Sequence, residues 1–457
     1  MAKLAWCRAA LLNIFQKRLL HFRQNYIRPY VIRSLAGCIT LVLMVQIPQA
    51  DAGMSAADID FSLFVNDRIH LLNNFYTSGR QDFSYTRNLH VLYVNPAVRF
   101  SLSPRIRIVF ETEGQFTFDF NRDEHDSDID LRNAYIQTAL PNASWLMLTF
   151  GQQSLRTMDG IVYDDESPTI RINADFERGF SLPVKLDALV TEIKDRSPYV
   201  NIDIKYCYSL LESVRLLYGW FRDYESGVAR IFNALERQHL YTSRGNIRWI
   251  GLSATTFVGN MLVKTTGIFE HGSTRLKKED GGVTSLNTRG YALDISAAYI
   301  IKPELSLTFF FYLASGDSNP HSGTLKSFLS IDPYIDKTNI YFNGGIDSRY
   351  SSDNVGLGGI QPAGIIAPGV SVDVKACESL YFKYILARLL THRHTAGDGR
   401  DYGWETDMTG YYMIRSNIQL FAELNMLRPG SYFKRLTENR ERVITEFLFG
   451  INFLFND

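Results

Sequence analysis

Arg105-Ile106-Arg107-Ile108-Val109-Phe110-Glu111-Thr112-Glu113 is the stretch on which the fold turns. In an extended chain Arg105, Arg107, Glu111 and Glu113 share one face, and Ile106, Ile108 and Phe110 share the other. That period of two suits a strand and not a helix. Val184-Lys185-Leu186-Asp187-Ala188-Leu189-Val190 repeats it, setting Lys185 and Asp187 against Val184, Leu186 and Val190. Near the end of the chain, Val443, Phe447, Phe449, Ile451, Phe453 and Phe455 oppose Glu446, Gly450 and Asn452.

One apolar and one charged face would serve any antiparallel sheet packed on a core. The number, length and spacing of the segments decide between a soluble sheet and a closed wall. About 18 alternating segments can be marked, near 59–70, 85–101, 104–119, 129–139, 145–151, 169–174, 184–192, 200–209, 213–222, 247–257, 261–271, 289–300, 304–314, 370–376, 380–390, 403–414, 417–427 and 443–455. Many reach the length a tilted strand needs to cross a bilayer, well beyond the usual five or six residues of a soluble strand.

The connections sort by length. Tight turns fall at Ser101–Pro104, Leu140–Ser144, Leu210–Glu212, Val258–Asn260, Ile301–Pro303, Ala376–Ser379 and Arg415–Ser416. Between them lie polar stretches at 120–128, 152–168, 223–246, 272–288, 315–369, 391–402 and 428–442. The expectation is an all-β, transmembrane, antiparallel up-and-down β-barrel of about 18 strands, with short periplasmic turns and long extracellular loops, in the outer membrane of a Gram-negative bacterium. Closure removes the sheet edges that hydrocarbon forbids. Trp145, Tyr218, Trp220, Trp249, Tyr299, Tyr402 and Trp404, near strand ends, fit interfacial girdles.

Composition excludes other classes. With 46% hydrophobic residues the chain is too apolar for disorder, and four cysteines are too few for a disulfide scaffold. Basic and acidic residues balance at 48 each, so nothing points to nucleic acid. The N-terminal region carries Lys3, Arg8, Lys17, Arg18, Arg23, Arg28 and Arg33, then the apolar run Leu35–Ile47, Pro48 and Ala50-Asp51-Ala52. That order describes a signal peptide over 1–52, leaving 53–457 as a single barrel domain. The remaining Cys207 and Cys377 read as separate thiols.

Strand parity supplies candidate pore-lining residues: Arg105, Arg107, Glu111, Glu113, Arg132, Lys185, Asp187, Arg215, Arg248, Lys264 and Asp294. The cluster Arg105, Arg107, Arg132 and Lys185 is the best candidate for attracting an anion. The 315–369 connection is too long for an idle hairpin and suits an infolded constriction or lid. Val228, Ile231, Phe232, Leu235 and Leu240 recur at helical spacing, which predicts a short helix within 226–241. His392, His394 and Asp398 read as a polar turn, and 121–128 lacks the glycine and spacing of an EF-hand. There is no G-x-S-x-G, P-loop or H-E-x-x-H, so no enzyme activity, cofactor or metal is expected.

Asp130-Leu131-Arg132-Asn133-Ala134-Tyr135-Ile136-Gln137, followed by Leu148-Thr149-Phe150-Gly151-Gln152-Gln153, resembles a paired-strand motif of the alginate-export family of outer-membrane porins. Asp159-Gly160, Leu186-Asp187-Ala188-Leu189 and Tyr312-Leu313-Ala314-Ser315-Gly316-Asp317-Ser318-Asn319-Pro320 resemble its later segments. The resemblance implies an 18-stranded barrel around a charged conduit for an anionic polyuronate. Gln152 stands where the family has an arginine, which favours a general porin passing small polar or anionic solutes, uronate saccharides among them. A dedicated exopolysaccharide secretion channel is the first alternative, and a barrel acting as an outer-membrane enzyme or adhesin the second. The partners implied are outer-membrane lipid, the solute or polyuronate, and barrel-assembly machinery.

Overall fold

The computed structural model describes residues 58–75, 85–193, 197–224, 227–236, 240–278, 282–319, 323–342, 356–357, 359, 361–393, 399–436 and 443–456. The expected signal peptide, and His394 and Asp398, lie outside them. The first strands in chain order are β1 (Asp58–Phe75), β2 (Tyr85–Ser103), β3 (Ile106–Asp119), β4 (Glu124–Leu140), β5 (Ala143–Thr157) and β6 (Tyr163–Asp175). Helix α1 (Phe176–Phe180) leads to β7 (Val184–Ile193), β8 (Ser197–Cys207) and β9 (Ser213–Asp223). Helix α2 (Gly227–Glu236) precedes β10 (Leu240–Val258), β11 (Met261–Lys278), β12 (Val283–Thr288), β13 (Tyr291–Lys302) and β14 (Leu305–Ala314). The next connection holds three two-residue strands, β15 (Thr324–Leu325), β16 (Leu329–Ser330) and β17 (Gly356–Leu357). After them come β18 (Ile365–Cys377), β19 (Leu380–Leu390), β20 (Asp401–Arg415), β21 (Ile418–Pro429), helix α3 (Ser431–Leu436) and β22 (Ile444–Asn456).

Among the described residues, eighteen of these strands form the wall, each antiparallel to the next, with β12 and β15–β17 as additions. The wall closes where β22 returns to β1, from Ser62↔Asn456 to Asn73↔Thr445. One end carries tight turns, closed by Ser103↔Ile106, Leu140↔Ala143, Val258↔Met261, Lys302↔Leu305, Cys377↔Leu380 and Arg415↔Ile418. The longer connections leave the other end, as the sequence indicates. Helix α1, joining β6 to β7 at the tight-turn end, has no counterpart in the expected turns. Helix α2 falls where the periodicity placed one.

Three expected loops are largely strand, 272–288 among them through the β11–β12 pairing from Gly272↔Thr288 to Lys277↔Val283. The β3–β4 pairing continues to Asp119↔Glu124, and β5–β6 to Thr157↔Tyr163. Ladder hydrogen bonds are satisfied whatever the side chains, so a hairpin outruns its hydrophobic pattern.

Ile170, Val190, Leu216, Ile250, Phe269, Phe309 and Phe449 are exposed large apolar side chains on the outer face. A closed antiparallel wall with an apolar exterior is the sheet that hydrocarbon admits. Trp404 and Tyr299 also face outward, whereas Trp249 and Tyr402, expected in the girdles, are fully buried inside. The inner face changes character along its length. It carries ion pairs toward the tight-turn end. Toward the long-loop end it carries Leu217, Phe221, Trp249, Ile268, Tyr312, Ala367 and Leu389, all packed in one cluster with Leu325, Phe328, Leu329, Ile340 and Tyr341 of the connection after β14.

Candidate functional site

Two chain segments cross the lumen, and the sequence reading singled out only one of them. The first is the tip of the β5–β6 hairpin. β5 pairs with β4 from Ala143 only as far as Gln152, then continues from Gln153 to Thr157 paired with β6 alone. Gly151 sits at the departure point with φ of +130°, and a Cβ there would lie 2.2 Å from the Ala134 carbonyl oxygen. The wall bends inward where only glycine fits.

The hairpin turns through Met158, Asp159 and Gly160, with φ of 50°, 60° and 84°. Its carboxylate reaches the inner faces of strands several places round the barrel. Asp159 lies 2.8 Å from Arg215 Nη1 on β9 and 3.1 Å from Lys264 Nζ on β11, and accepts the Thr266 hydroxyl at 2.7 Å. Burial pushes this carboxyl up, but Arg215 and Lys264 outweigh it and hold it at about 2. Thr157 and Tyr199 share a hydroxyl hydrogen bond of 2.8 Å, and Leu155, Met158, Ile161 and Val162 are buried beneath. Two left-handed non-glycine residues in a row, Met158 and Asp159, are costly, and the ionic seat compensates.

The second segment lies within Ser315–Gly364. Leu329 donates its N–H to Glu270 Oε2 at 2.7 Å, and its carbonyl accepts Trp249 Nε1–H at 2.9 Å, fixing this end to β10 and β11. Ile331 N–H binds the Val162 carbonyl and Tyr334 N–H the Gly160 carbonyl, so the segment runs along the hairpin tip. Its far end meets the β20–β21 wall. There Glu405 accepts the Thr338 hydroxyl at 2.8 Å and the N–H groups of Ile340 and Tyr341, and Asp407 accepts the Asn339 N–H at 3.0 Å. Lys337 pairs with Asp294 at 2.7 Å.

Gln153, Leu155 and Thr157 are buried, and Ser154 and Arg156 on the alternate positions are exposed. Arg156 is 53% exposed, 3.4 Å from Asp164, with its guanidinium 5.8 Å from the centre of the Tyr334 ring. Arg132, at a β-bulge on β4, spans Glu113 at 2.5 Å and Glu166 at 2.8 Å and keeps 37% of its side chain open. Tyr334's phenol is pushed up by burial and by Asp336, Asp164 and Glu423, against Arg156. Arg156 and Asp164 belong to the hairpin and Asp336 to the second segment, and the charge of Glu423 on β21 also acts on this ring.

The sequence candidates are dispersed. Glu113 and Arg132 meet here. Arg215, Lys264 and Asp294 face inward and anchor the crossing segments. Glu111 accepts Asn133 Nδ2–H at 2.9 Å, Asp187 holds Arg171 through both oxygens, and Lys185 pairs with Asp175 at 3.4 Å near α1. Arg107 is exposed near the tight-turn end. Two readings need correction. Arg105 falls in the β2–β3 turn, not on the wall. Arg248 points outward, because its neighbours Ile247 and Trp249 take the inward positions under the infolded segment. The cluster Arg105, Arg107, Arg132 and Lys185 therefore does not assemble. Arg156 and Tyr334 were not among the pore-lining candidates, and Asp159 was noted only within a motif. The alternation of Gln153–Thr157 and Tyr163–Thr169 about a Met-Asp-Gly turn was the available signal.

No protein-family model matches this sequence, and no curated protein does. Solved structures match in shape. OpdK, an outer-membrane protein of Pseudomonas aeruginosa, aligns with a TM-score of 0.53 over 88% of this chain and 99% of its own, at 10% identity. OpdO of the same organism gives 0.54 over 87% and 97%, at 14% identity. OccAB4 of Acinetobacter baumannii gives 0.54 over 88% and 99%, at 8% identity. OpdK has also been solved with vanillate. At such identities the likeness carries the fold: this chain is built as the same closed eighteen-strand barrel.

Proposed function

We propose that this protein is an outer-membrane channel of a Gram-negative bacterium, with its tight turns in the periplasm and its long loops outside, passing small polar or anionic solutes by diffusion. The observation that carries this is the pair of crossing segments, which leave Arg132 and Arg156 beside Glu113, Asp164, Glu166 and Tyr334 in a narrowed lumen. Guanidinium groups with open donors suit a carboxylate, and the neighbouring acids suit the hydroxyl or amine groups of the same solute. Vanillate, which OpdK holds, is a small carboxylate of this size class. The fold likeness and the apolar outer face support the membrane placement.

A uronate is the finer reading, and it rests on the sequence motifs at Asp130–Gln137 and Leu148–Gln153. The two crossing segments argue against a conduit for a continuous polymer. Liposome swelling tests the proposal with glucuronate and its oligomers. Monomer influx with exclusion of oligomers beyond a few units is expected. Equal influx of long oligomers would favour the secretion channel, and no influx of any solute would sink the channel reading.

A further inference from the structure

Arg248, expected in the lumen, belongs to a different feature. On the outer face of β9–β11 the side chains pass from apolar to cationic toward the long-loop end. Tyr218, Ile250 and Phe269 form one register row. The next outward row is Trp220, Arg248 and His271, then Arg222 beside Asn246 and Ser273, then Arg244 beside Arg275, with Lys277 beyond. Arg222, Arg244, Arg248, His271, Arg275 and Lys277 are all exposed. Among the described residues none of the six is ion-paired, and no acid shares this outer face of β9–β12. Arg222 rests over the Tyr224 ring at 4.7 Å. By contrast Arg388, an outward arginine on β19, is held by Asp401 at 2.6 Å and stacked on Trp404 at 4.8 Å.

We propose that this face binds the phosphate groups of an anionic lipid headgroup in the leaflet at the long-loop end. The inference rests on the membrane placement given above. Strands lie about 4.8 Å apart and rise about 3.3 Å per residue, so Arg248 sits roughly 7 Å along the strand from Ile250. A lipid whose tails cover Ile250, Leu252 and Phe269 brings its headgroup to the height of Arg248, Arg222 and Arg275. An aromatic residue at the boundary, Trp220, marks the same interface. Guanidinium groups make charge-assisted, bidentate bonds to phosphate, and among the described residues no acid on this face neutralises the patch. The partner is a phosphorylated membrane lipid, of which the doubly phosphorylated glycolipid of Gram-negative outer leaflets, lipid A, is the natural probe.

Native mass spectrometry of the refolded full-length barrel, titrated with lipid A and with its dephosphorylated form, tests this. Wild type should retain lipid A, and the variant R222Q/R248Q/R275Q should bind it roughly 10- to 100-fold more weakly. R222K/R248K/R275K should hold it within a few-fold of wild type, and dephosphorylated lipid should bind wild type as poorly as lipid A binds the glutamine variant. Equal binding of lipid A by the glutamine variant, or of dephosphorylated lipid by wild type, would overturn the proposal. The glutamine variant should conduct in planar bilayers like wild type, since its substitutions face away from the lumen. Conductance with unchanged lipid A binding would overturn the lipid site alone, whereas a chain that inserts into no bilayer would overturn the membrane placement and the lipid site with it.

Discussion

At Asp159 one carboxylate ties the hairpin tip to two strands of the wall. Its carboxyl sits at about 2, below the ordinary aspartate range. A lowered value means that the seat contributes fully above that range and is lost as pH falls toward 2. Single-channel noise in the wild type should therefore stay flat from pH 7 to about pH 4, and a steep rise within that window would contradict the assignment. Asp159→Ala leaves Lys264 without this partner and Arg215 with Asp203 alone. It should cost the seated hairpin on the order of 3 kcal/mol. The expected readout is frequent sub-state switching in a barrel that still shows heat-modifiable migration. Arg248 shows why residue-scale reading failed. The rule of charged side chains inside and apolar ones outside holds around a water-filled lumen. It inverts where Leu329 and Tyr341 fill the lumen, because Trp249 and Ile247 are buried there instead.

At the scale of elements, alternation located the wall strands and helical spacing located α2, because both are local signals. The crossing segments are not local. The β5–β6 tip is ordinary hairpin sequence, and its inward course depends on Gly151 and on partners more than fifty residues away in β9 and β11. Gly151→Val should force the bend out of a conformation that β-branched residues avoid, at about 1–3 kcal/mol. Faster protease cleavage at the hairpin, with the wall intact, would be the sign, and a wild-type cleavage rate would contradict it. The Ser315–Gly364 connection was legible as unusually long, but its anchors were not. Glu405 serves Thr338, Ile340 and Tyr341 at once. Glu405→Gln keeps the size but sets an amide NH2 against backbone N–H groups, costing about 1–3 kcal/mol. Hydrogen exchange at 338–341 should rise roughly 5- to 100-fold if the segment is held there, and unchanged exchange would show that other contacts hold it.

At the scale of the molecule, closure needs only strand number, length and turn alternation, and these were readable from end to end. The proposed passage through the barrel was not, since it would be what two folded segments leave open. The proposed channel has Arg132 and Arg156 in that opening. Planar-bilayer recording of wild type and of Arg132→Ala/Arg156→Ala, with reversal potential in a salt gradient and glucuronate added, tests it most directly. Glucuronate should interrupt the wild-type current. In the double variant the interruptions should weaken by about tenfold or more, with a shift of selectivity toward cations, as expected for the loss of two charge-assisted contacts. Unchanged selectivity and unchanged interruption would place the narrowest part of the channel elsewhere and overturn this assignment of Arg132 and Arg156.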